Sequence, residues 1–200
     1  MSLPLSSAAA AGAKKFRVLG VDPAVAGATG YGVVEFAGSA ARTLHFGALR
    51  FPARAPFDAR LMEIHRLIAQ LVEEFACDAV AVESVFTALN ARTALKLAEV
   101  RGVVLLAAAQ AGVESHSYSP REVKVNVAGY GAASKQQMQQ MVRVLLNLRE
   151  APQPADAADA LAVALCHAQL SRARERMAPP PPALPTPRNR SRVPRFQVHR

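Results

Sequence analysis

Four acidic residues, spread over more than half of the chain, stand where carboxylates are unusual. Two directly follow or end short apolar runs and two lie three residues apart on a predicted helix; they are Asp22, Glu83, Asp156 and Asp159. Charges are rarely buried unless they are paired or bind a metal. Carboxylates are the ligands that Mg²⁺ and Mn²⁺ prefer, and two such ions roughly 3.5–4 Å apart promote phosphodiester hydrolysis. The pattern therefore predicts a two-metal site that cuts phosphodiesters.

Each of these carboxylates also has a purely structural interpretation. Asp22 could cap the turn that begins at Pro23, and Glu83 could begin the turn after its own strand. Asp156 and Asp159 could be first-turn acids, which the helix dipole favours. A metal site accounts for all four residues at once, whereas the structural interpretation needs a separate reason for each.

The apolar periodicity predicts the elements that must position these carboxylates. The predicted strands cover residues 16–21, 31–36, 43–50, 79–83 and 112–118, and the predicted helices cover about 61–72, 91–110, 120–127, 134–148 and 155–174. This order predicts an α/β fold with a mixed five-stranded sheet flanked by helices, in which the first three strands form an antiparallel meander. A hairpin follows the first strand where a Rossmann domain would have a helix, which argues against that fold.

The charge of the chain is concentrated outside the predicted domain. The formal net charge is +9, but residues 172–200 carry eight Arg and one Glu, while residues 18–171 carry 13 basic and 14 acidic residues. We therefore predict a disordered leader at 1–15, a nuclease domain at 16–175 and a disordered Pro/Arg-rich tail at 176–200. A basic tail favours a polyanionic partner without specifying which.

The two cysteines and the apolar runs indicate where the protein works. Cys77 and Cys166 stand in apolar surroundings without metal-ligand spacing, which predicts two buried, reduced thiols. No secretory signal and no apolar run of about 18 residues stands out in the sequence. These features predict a cytoplasmic protein.

Seven short segments support a specific interpretation of the carboxylates. They are LGVDP (19–23), TGYGVV (29–34), AVESVF (81–86), ALKL (94–97) with RGV (101–103) after Asn90, YSPREVK (118–124), GYGAASK (129–135) and ADAADALA (155–162). In this order they resemble the RuvC family of Holliday-junction resolvases, and the resemblance covers about residues 16–170. One departure is Ala24, where the family usually has Gly.

The resemblance implies a fold, a reaction and a set of partners. It implies an RNase H-like fold and a structure-specific endonuclease that resolves Holliday junctions in recombination and repair by paired symmetric nicks. The catalytic, metal-binding residues would be Asp22, Glu83, Asp156 and Asp159, holding two Mg²⁺ ions (Mn²⁺ is also possible) in each subunit. The implied partners are four-way junction DNA, a second copy of the chain and the RuvA–RuvB branch-migration complex.

The resemblance also implies four DNA-binding residues. Phe86 would lie at the junction centre, and Asn90 would lie on a loop that probes the bases there. Lys124 and Lys135 would lie close to the scissile phosphate or its neighbours. Phe86 could instead be a core residue, whereas Lys135 begins a predicted helix, where the helix dipole disfavours a cation and a functional reason is needed.

Three other functions and two open structural points accompany this interpretation. Asp22 and the glycine-rich hairpin after it also occur in actin-like and sugar-kinase ATPases, although the chain is too short for their second domain. Another nuclease or transposase of the same fold, and a non-catalytic junction binder, are the remaining alternatives.

The helix at 91–110 is predicted to form the dimer contact or to be an ordinary core helix. His167 is predicted to lie about 16 Å from Asp156, too far to share its metal.

Overall fold

A computed structural model describes residues 15–25, 27–84 and 90–177. Its strands are β1 (Lys15–Asp22), β2 (Ala28–Ala37), β3 (Ala40–Arg50), β4 (Ala79–Glu83) and β5 (Glu114–Tyr118). Its helices are α1 (Phe57–Glu74), α2 (Ala91–Gln110), α3 (Pro120–Ala128), α4 (Lys135–Leu145) and α5 (Ala155–Met177). The ten predicted elements are therefore present in the predicted order.

The strands form one mixed sheet in the order β3-β2-β1-β4-β5. β1 and β2, like β2 and β3, pair antiparallel, while β4 pairs parallel with both β1 and β5. In the parallel pair Val21 lies opposite Val82, so β1 and β4 end at the same edge of the sheet. This register places the next residues, Asp22 and Glu83, side by side, and it confirms the predicted fold class.

Helices cover both faces of the sheet. Successive side chains of a strand point to opposite faces, so Val18 packs towards α3, α4 and α5, while Leu19 packs towards α1 and α2. α5 lies close against β1 and β2 because Gly20 and Gly30 have no side chain there. A Cβ at either position would overlap the backbone carbonyl oxygen of Ala160 or Asp156. These two glycines therefore fix the height of α5 above the sheet edge.

Several predicted boundaries differ from the structure, since β2, β3 and α1 begin three or four residues earlier than predicted. Two other differences have a local cause. α4 ends at Leu145 instead of residue 148, and Asn147 then adopts a left-handed φ of 50°, which asparagine tolerates better than most residues. β5 begins at Glu114 instead of residue 112, because Gly112 turns the chain with a φ of 71°.

The remaining predictions on the chain as a whole have mixed outcomes. Cys77 and Cys166 are free and buried, and burial raises the pKa of each thiol to about 12, so both are unreactive. Residues 1–14 and 178–200, which hold most of the predicted leader and tail, lie outside the described residues. None of the described helices combines the length and the apolar character needed to cross a membrane.

Candidate metal and DNA-binding site

The four predicted carboxylates come from three elements that meet at one edge of the sheet. Asp22 ends β1 and Glu83 ends β4, and their side chains share a hydrogen bond in which the protonated Asp22 is the donor. Asp156 lies in the first turn of α5 and Asp159 lies one turn further on. Because the backbone of Asp156 rests directly on Gly30 of β2, the start of α5 is held beside the ends of β1 and β4.

The electrostatics of this edge show an excess of negative charge. Burial raises the pKa of Asp22 to about 8, and the charge of Glu83, the hydrogen bond to Glu83 and the charges of Asp159 and Asp156 add to the effect. Burial also raises the pKa of Glu83, although the hydrogen bond from Asp22 and the charges of two nearby lysines oppose this rise. Clustered carboxylates take up protons when no cation compensates them, so this site favours a further positive charge.

Two lysines line a cavity of about 250 Å³ next to the carboxylates. Lys135 Nζ lies 3.0 Å from Asp159 Oδ2, and the hydrogen bond to Asp159 raises the pKa of the lysine. Lys124 lines the same cavity together with Glu83. Both lysines therefore lie beside carboxylates of the cluster, and their contact with the scissile phosphate stays a prediction.

Local sequence signals fix the helices that carry these lysines. Ser119 is the N-cap of α3 and Ser134 is the N-cap of α4, and each forms a capping box with the third helical residue, Glu122 or Gln137. Lys135 is the first residue of α4, where the helix dipole opposes its charge. Its ion pair with Asp159 provides the compensating interaction that the sequence alone did not reveal.

One cation at the site was missed by the sequence analysis. Arg50, the last residue of β3, places Nη2 3.9 Å from Oδ2 of Asp156. The only sequence signal was an arginine at the end of a predicted strand. The distance between residues 50 and 156 in the chain hides the contact, which depends on the β3–β2 pairing and on the packing of α5 against β2.

The four carboxylates are suitable ligands for hard divalent ions, but in this structure two of them face cationic side chains of the protein itself. Among the described residues, no three acidic, histidine or cysteine side chains are close enough together to hold a metal ion in this arrangement. Asp159 faces Lys135 and Asp156 faces Arg50, while Asp22 is bonded to Glu83. Carboxylate oxygens are the ligands that Mg²⁺ and Mn²⁺ prefer, and a bound ion would compensate the negative charge that burial and the neighbouring acids disfavour at Asp22. A metal site therefore requires the two α5 carboxylates to exchange Lys135 and Arg50 for the ion.

The other two predicted DNA-binding residues have different outcomes. Phe86 lies outside the described residues. Asn90 is the N-cap of α2, and its Oδ1 accepts hydrogen bonds from Thr93 N (2.9 Å) and Thr93 Oγ1 (3.0 Å). A capping role thus accounts for Asn90 in the free protein, and its contact with bases stays a prediction.

His167 is a core residue. It is buried, its Nδ1 shares a hydrogen bond of 2.7 Å with Tyr118 Oη, and its ring lies 4.5 Å from that of His116. Burial, assisted by His116, lowers the pKa of His167 to about 4. It therefore stays neutral at physiological pH and serves packing.

Sequence comparison with known proteins agrees with this geometry. Residues 18–167 match the family described as Crossover junction endodeoxyribonuclease RuvC. A protein of that name from Thermomicrobium roseum is 50% identical over 137 residues, which are 68% of this chain and 83% of the relative. Its counterpart from Chloroflexus aurantiacus is 46% identical over 136 residues, covering 68% of this chain and 82% of the relative.

Two solved structures are similar in fold as well as in sequence. The Thermus thermophilus RuvC structure superposes with a TM-score of 0.73 at 39% identity and covers 79% of this chain and 96% of its own. A structure of T. thermophilus RuvC in complex with a Holliday junction substrate gives a TM-score of 0.72 at 36% identity, with the same coverage. The predicted RNase H-like arrangement of the sheet and helices is thereby confirmed.

Proposed function

Because the chain belongs to the RuvC family of crossover junction endodeoxyribonucleases, we propose that its carboxylate cluster binds two divalent ions and cuts four-way DNA junctions. As a member of this family the chain is a metal-dependent nuclease, which removes the ATPase alternative. The proposed ligands are Asp22, Glu83, Asp156 and Asp159, and the proposed ions are Mg²⁺ or Mn²⁺. The observation that carries the proposal is the meeting of these four carboxylates with two lysines at one edge of the sheet.

The residues of the site divide the reaction between them. Ions held by the carboxylates would activate the attacking water and stabilise the charge that develops on the scissile phosphate. Lys124 and Lys135 line the cavity beside Glu83 and Asp159, so their charges attract the DNA backbone to the ligands. Asp22 and Glu83 are held by strands, and such rigid supports maintain the geometry that in-line attack requires.

The junction and a second copy of the chain are the proposed partners. The relative from T. thermophilus has been solved with a Holliday junction substrate, and we carry that substrate over to this chain. Two nicks in one symmetric junction require two sites, which a two-fold dimer provides. The outer side of α2 suits such a contact because Leu95 and Leu106 are 66% and 52% exposed. Association with the RuvA–RuvB complex and a cytoplasmic location complete the proposal.

Cleavage of matched substrates tests this function. A mobile four-way junction, a linear duplex and a flap of the same sequence are incubated with the full chain in Mg²⁺, in Mn²⁺ and in EDTA. We expect paired nicks in the junction alone, and only with metal. Equal cutting of all three substrates would contradict junction specificity, and sedimentation as a monomer with and without junction would contradict the dimer.

A further inference from the structure

Arg50 ends β3, which lies on the other side of β1 from β4, whereas the two lysines lie beside Glu83 at the end of β4. Within the sheet Arg50 pairs with Ala28 of β2, two residues from Gly30, on which Asp156 rests. Its guanidinium faces Asp156, whereas Lys135 faces Asp159. The two acids of α5 are thus each bordered by one cation, supplied by β3 on one side and by α4 on the other.

Stability of the fold does not account for this arginine. The side chain is 68% exposed and its contact with Asp156 spans 3.9 Å, and exposed pairs of this kind contribute little to folding. Among the described residues, the Arg50 guanidinium makes no hydrogen bond to a backbone carbonyl, whereas the guanidinium of Arg17 donates to Phe75 O and that of Arg60 donates to Pro52 O. The guanidinium is therefore able to change partner at small cost.

Metal binding would force such a change. A divalent ion held by Asp156 neutralises the carboxylate that Arg50 faces and repels the guanidinium. The anion that would arrive at the same place is the DNA backbone, whose successive phosphates on one strand of a duplex are spaced by about 3.4 Å of helix axis. Asp156 and Asp159 are separated by about 4.5 Å along α5, so the two cations that face them, Arg50 and Lys135, would reach different phosphates.

We propose that Arg50 binds the phosphate next to the scissile one, on the opposite side of the metal cluster from Lys124 and Lys135. This proposal rests on the proposed function and adds a substrate-binding residue to it. A planar guanidinium donates two parallel hydrogen bonds to one phosphate, which a lysine ammonium cannot reproduce. Arg50 would thereby fix the position of the strand across the cluster.

Three substitutions give the first test. Arg50→Ala and Arg50→Lys are compared with Arg54→Ala, an exposed arginine in the next loop that has no acidic partner among the described residues. We expect Arg50→Ala to lower the rate of junction cleavage at subsaturating DNA by roughly 10–100-fold. The slope of the logarithm of the binding constant against the logarithm of the salt concentration should become shallower by about 0.9. Arg50→Lys should keep the slope and recover part of the rate, and Arg54→Ala should change neither.

A neutral linkage locates the contact on the DNA. Junctions carrying a single methylphosphonate at each phosphate around the cleavage site are bound and cut by the wild-type chain and by Arg50→Ala. At one flanking phosphate the wild-type rate should fall to the level of Arg50→Ala, and the substitution should cause no further loss. If the methylphosphonate and Arg50→Ala lowered the cleavage rate independently at every phosphate position, the proposal would be overturned.

Two further measurements separate phosphate binding by Arg50 from an effect of Arg50 on the metal ions. Junction affinity in Ca²⁺, in the absence of cutting, should fall for Arg50→Ala, while the Mg²⁺ concentration for half-maximal rate should stay the same. Unchanged affinity with a shifted Mg²⁺ requirement would show that Arg50 acts on the metal and would overturn the proposal. Wild-type protein that cuts no junction would contradict the proposed function itself, whereas normal cutting by Arg50→Ala would contradict only the role of Arg50.

Discussion

The two ends of the β1–β2 pair hold carboxylates with opposite surroundings. Glu35, opposite Arg17 near the start of β1, is only 3% exposed and contacts Arg17, Arg42 and Lys15 at 3.0, 2.8 and 3.5 Å. Its pKa falls to about 2, chiefly through the hydrogen bond from Arg42. Asp22, at the other end of β1, is surrounded by acids, and its pKa rises to about 8.

The difference separates a structural carboxylate from a functional one. At Glu35 the protein supplies three cations of its own, so the charge is fully compensated in the folded chain. At Asp22 the compensation is incomplete, which costs stability and leaves the site ready for a cation from outside. Two acidic residues on the same pair of strands thus have different roles: Glu35 stabilises the fold at one end, and Asp22 is available to bind a cation at the other.

The largest expected effect is the loss of cutting when Asp22 is neutralised. Asp22→Asn keeps the shape but removes a charge that binds metal, so cleavage should fall by roughly 10²–10³-fold or more. Junction binding should persist, and the melting temperature should stay equal or rise because folding no longer has to bury a carboxyl that takes up a proton. Cleavage, gel-shift and thermal melting measure these quantities, with exposed Asp58→Asn as control. Near-normal turnover would refute the metal-site assignment.

Neutralising Glu35 should have the opposite consequences. Glu35→Gln leaves the three cations with a weaker partner, and we expect a loss on the order of 2 kcal/mol at pH 7, or roughly 4–8 °C in melting temperature. Cleavage of the folded protein should be unaffected. Exposed Glu63→Gln, which removes only a surface pair with Arg66, should change the stability much less.

The pH dependence of the stability difference between wild type and Glu35→Gln tests whether that difference is electrostatic. The pKa of Glu35 is lowered on folding from 4.5 to about 2, so its contribution is present above about pH 4.5 and is lost as the pH falls towards 2. Wild type and Glu35→Gln should therefore converge in stability at acid pH. A constant difference down to pH 2 would mean that packing, not charge, stabilises this end of the sheet.

A smaller effect should accompany metal binding. Because the pKa of Asp22 is about 8 without metal, this carboxyl is mostly protonated at pH 7 and must lose its proton to become a ligand. Mg²⁺ binding at pH 7 should release close to one proton, and the release should vanish above pH 9. Calorimetry in buffers of different ionisation enthalpy measures it. Equal release by Asp22→Asn would assign the proton to another group.

The smallest expected effect concerns the arginines that follow α5 in the sequence. Residues 178–200 carry five Arg and no acid. Deleting them should leave folding and the choice of cleavage site intact and should weaken DNA affinity. The log–log salt slope should become shallower by about 0.9 for each phosphate that the tail neutralises. If affinity and salt slope both stay the same, the tail does not bind DNA.

Much of this molecule was predictable because its signals are local. The apolar runs before Asp22 and Glu83, the change of period at α1 and the serines before α3 and α4 each lie within a few residues of the feature they specify. Even the paired acids of α5 required only a helical repeat. The wrong ends of α4 and β5 came from single residues, Asn147 and Gly112, that take left-handed conformations.

Residue type and spacing were enough to predict the elements, the fold class and the four carboxylates at the sheet edge. The cations that face these carboxylates emerged only from the folded arrangement. The contacts of Lys135 with Asp159 and of Arg50 with Asp156 join elements that are distant in the chain, and their lengths depend on how closely α5 approaches Gly20 and Gly30. Electrostatic energies change steeply with distance and burial, so the pKa values of Asp22 and Glu35 diverge through packing that no local pattern encodes.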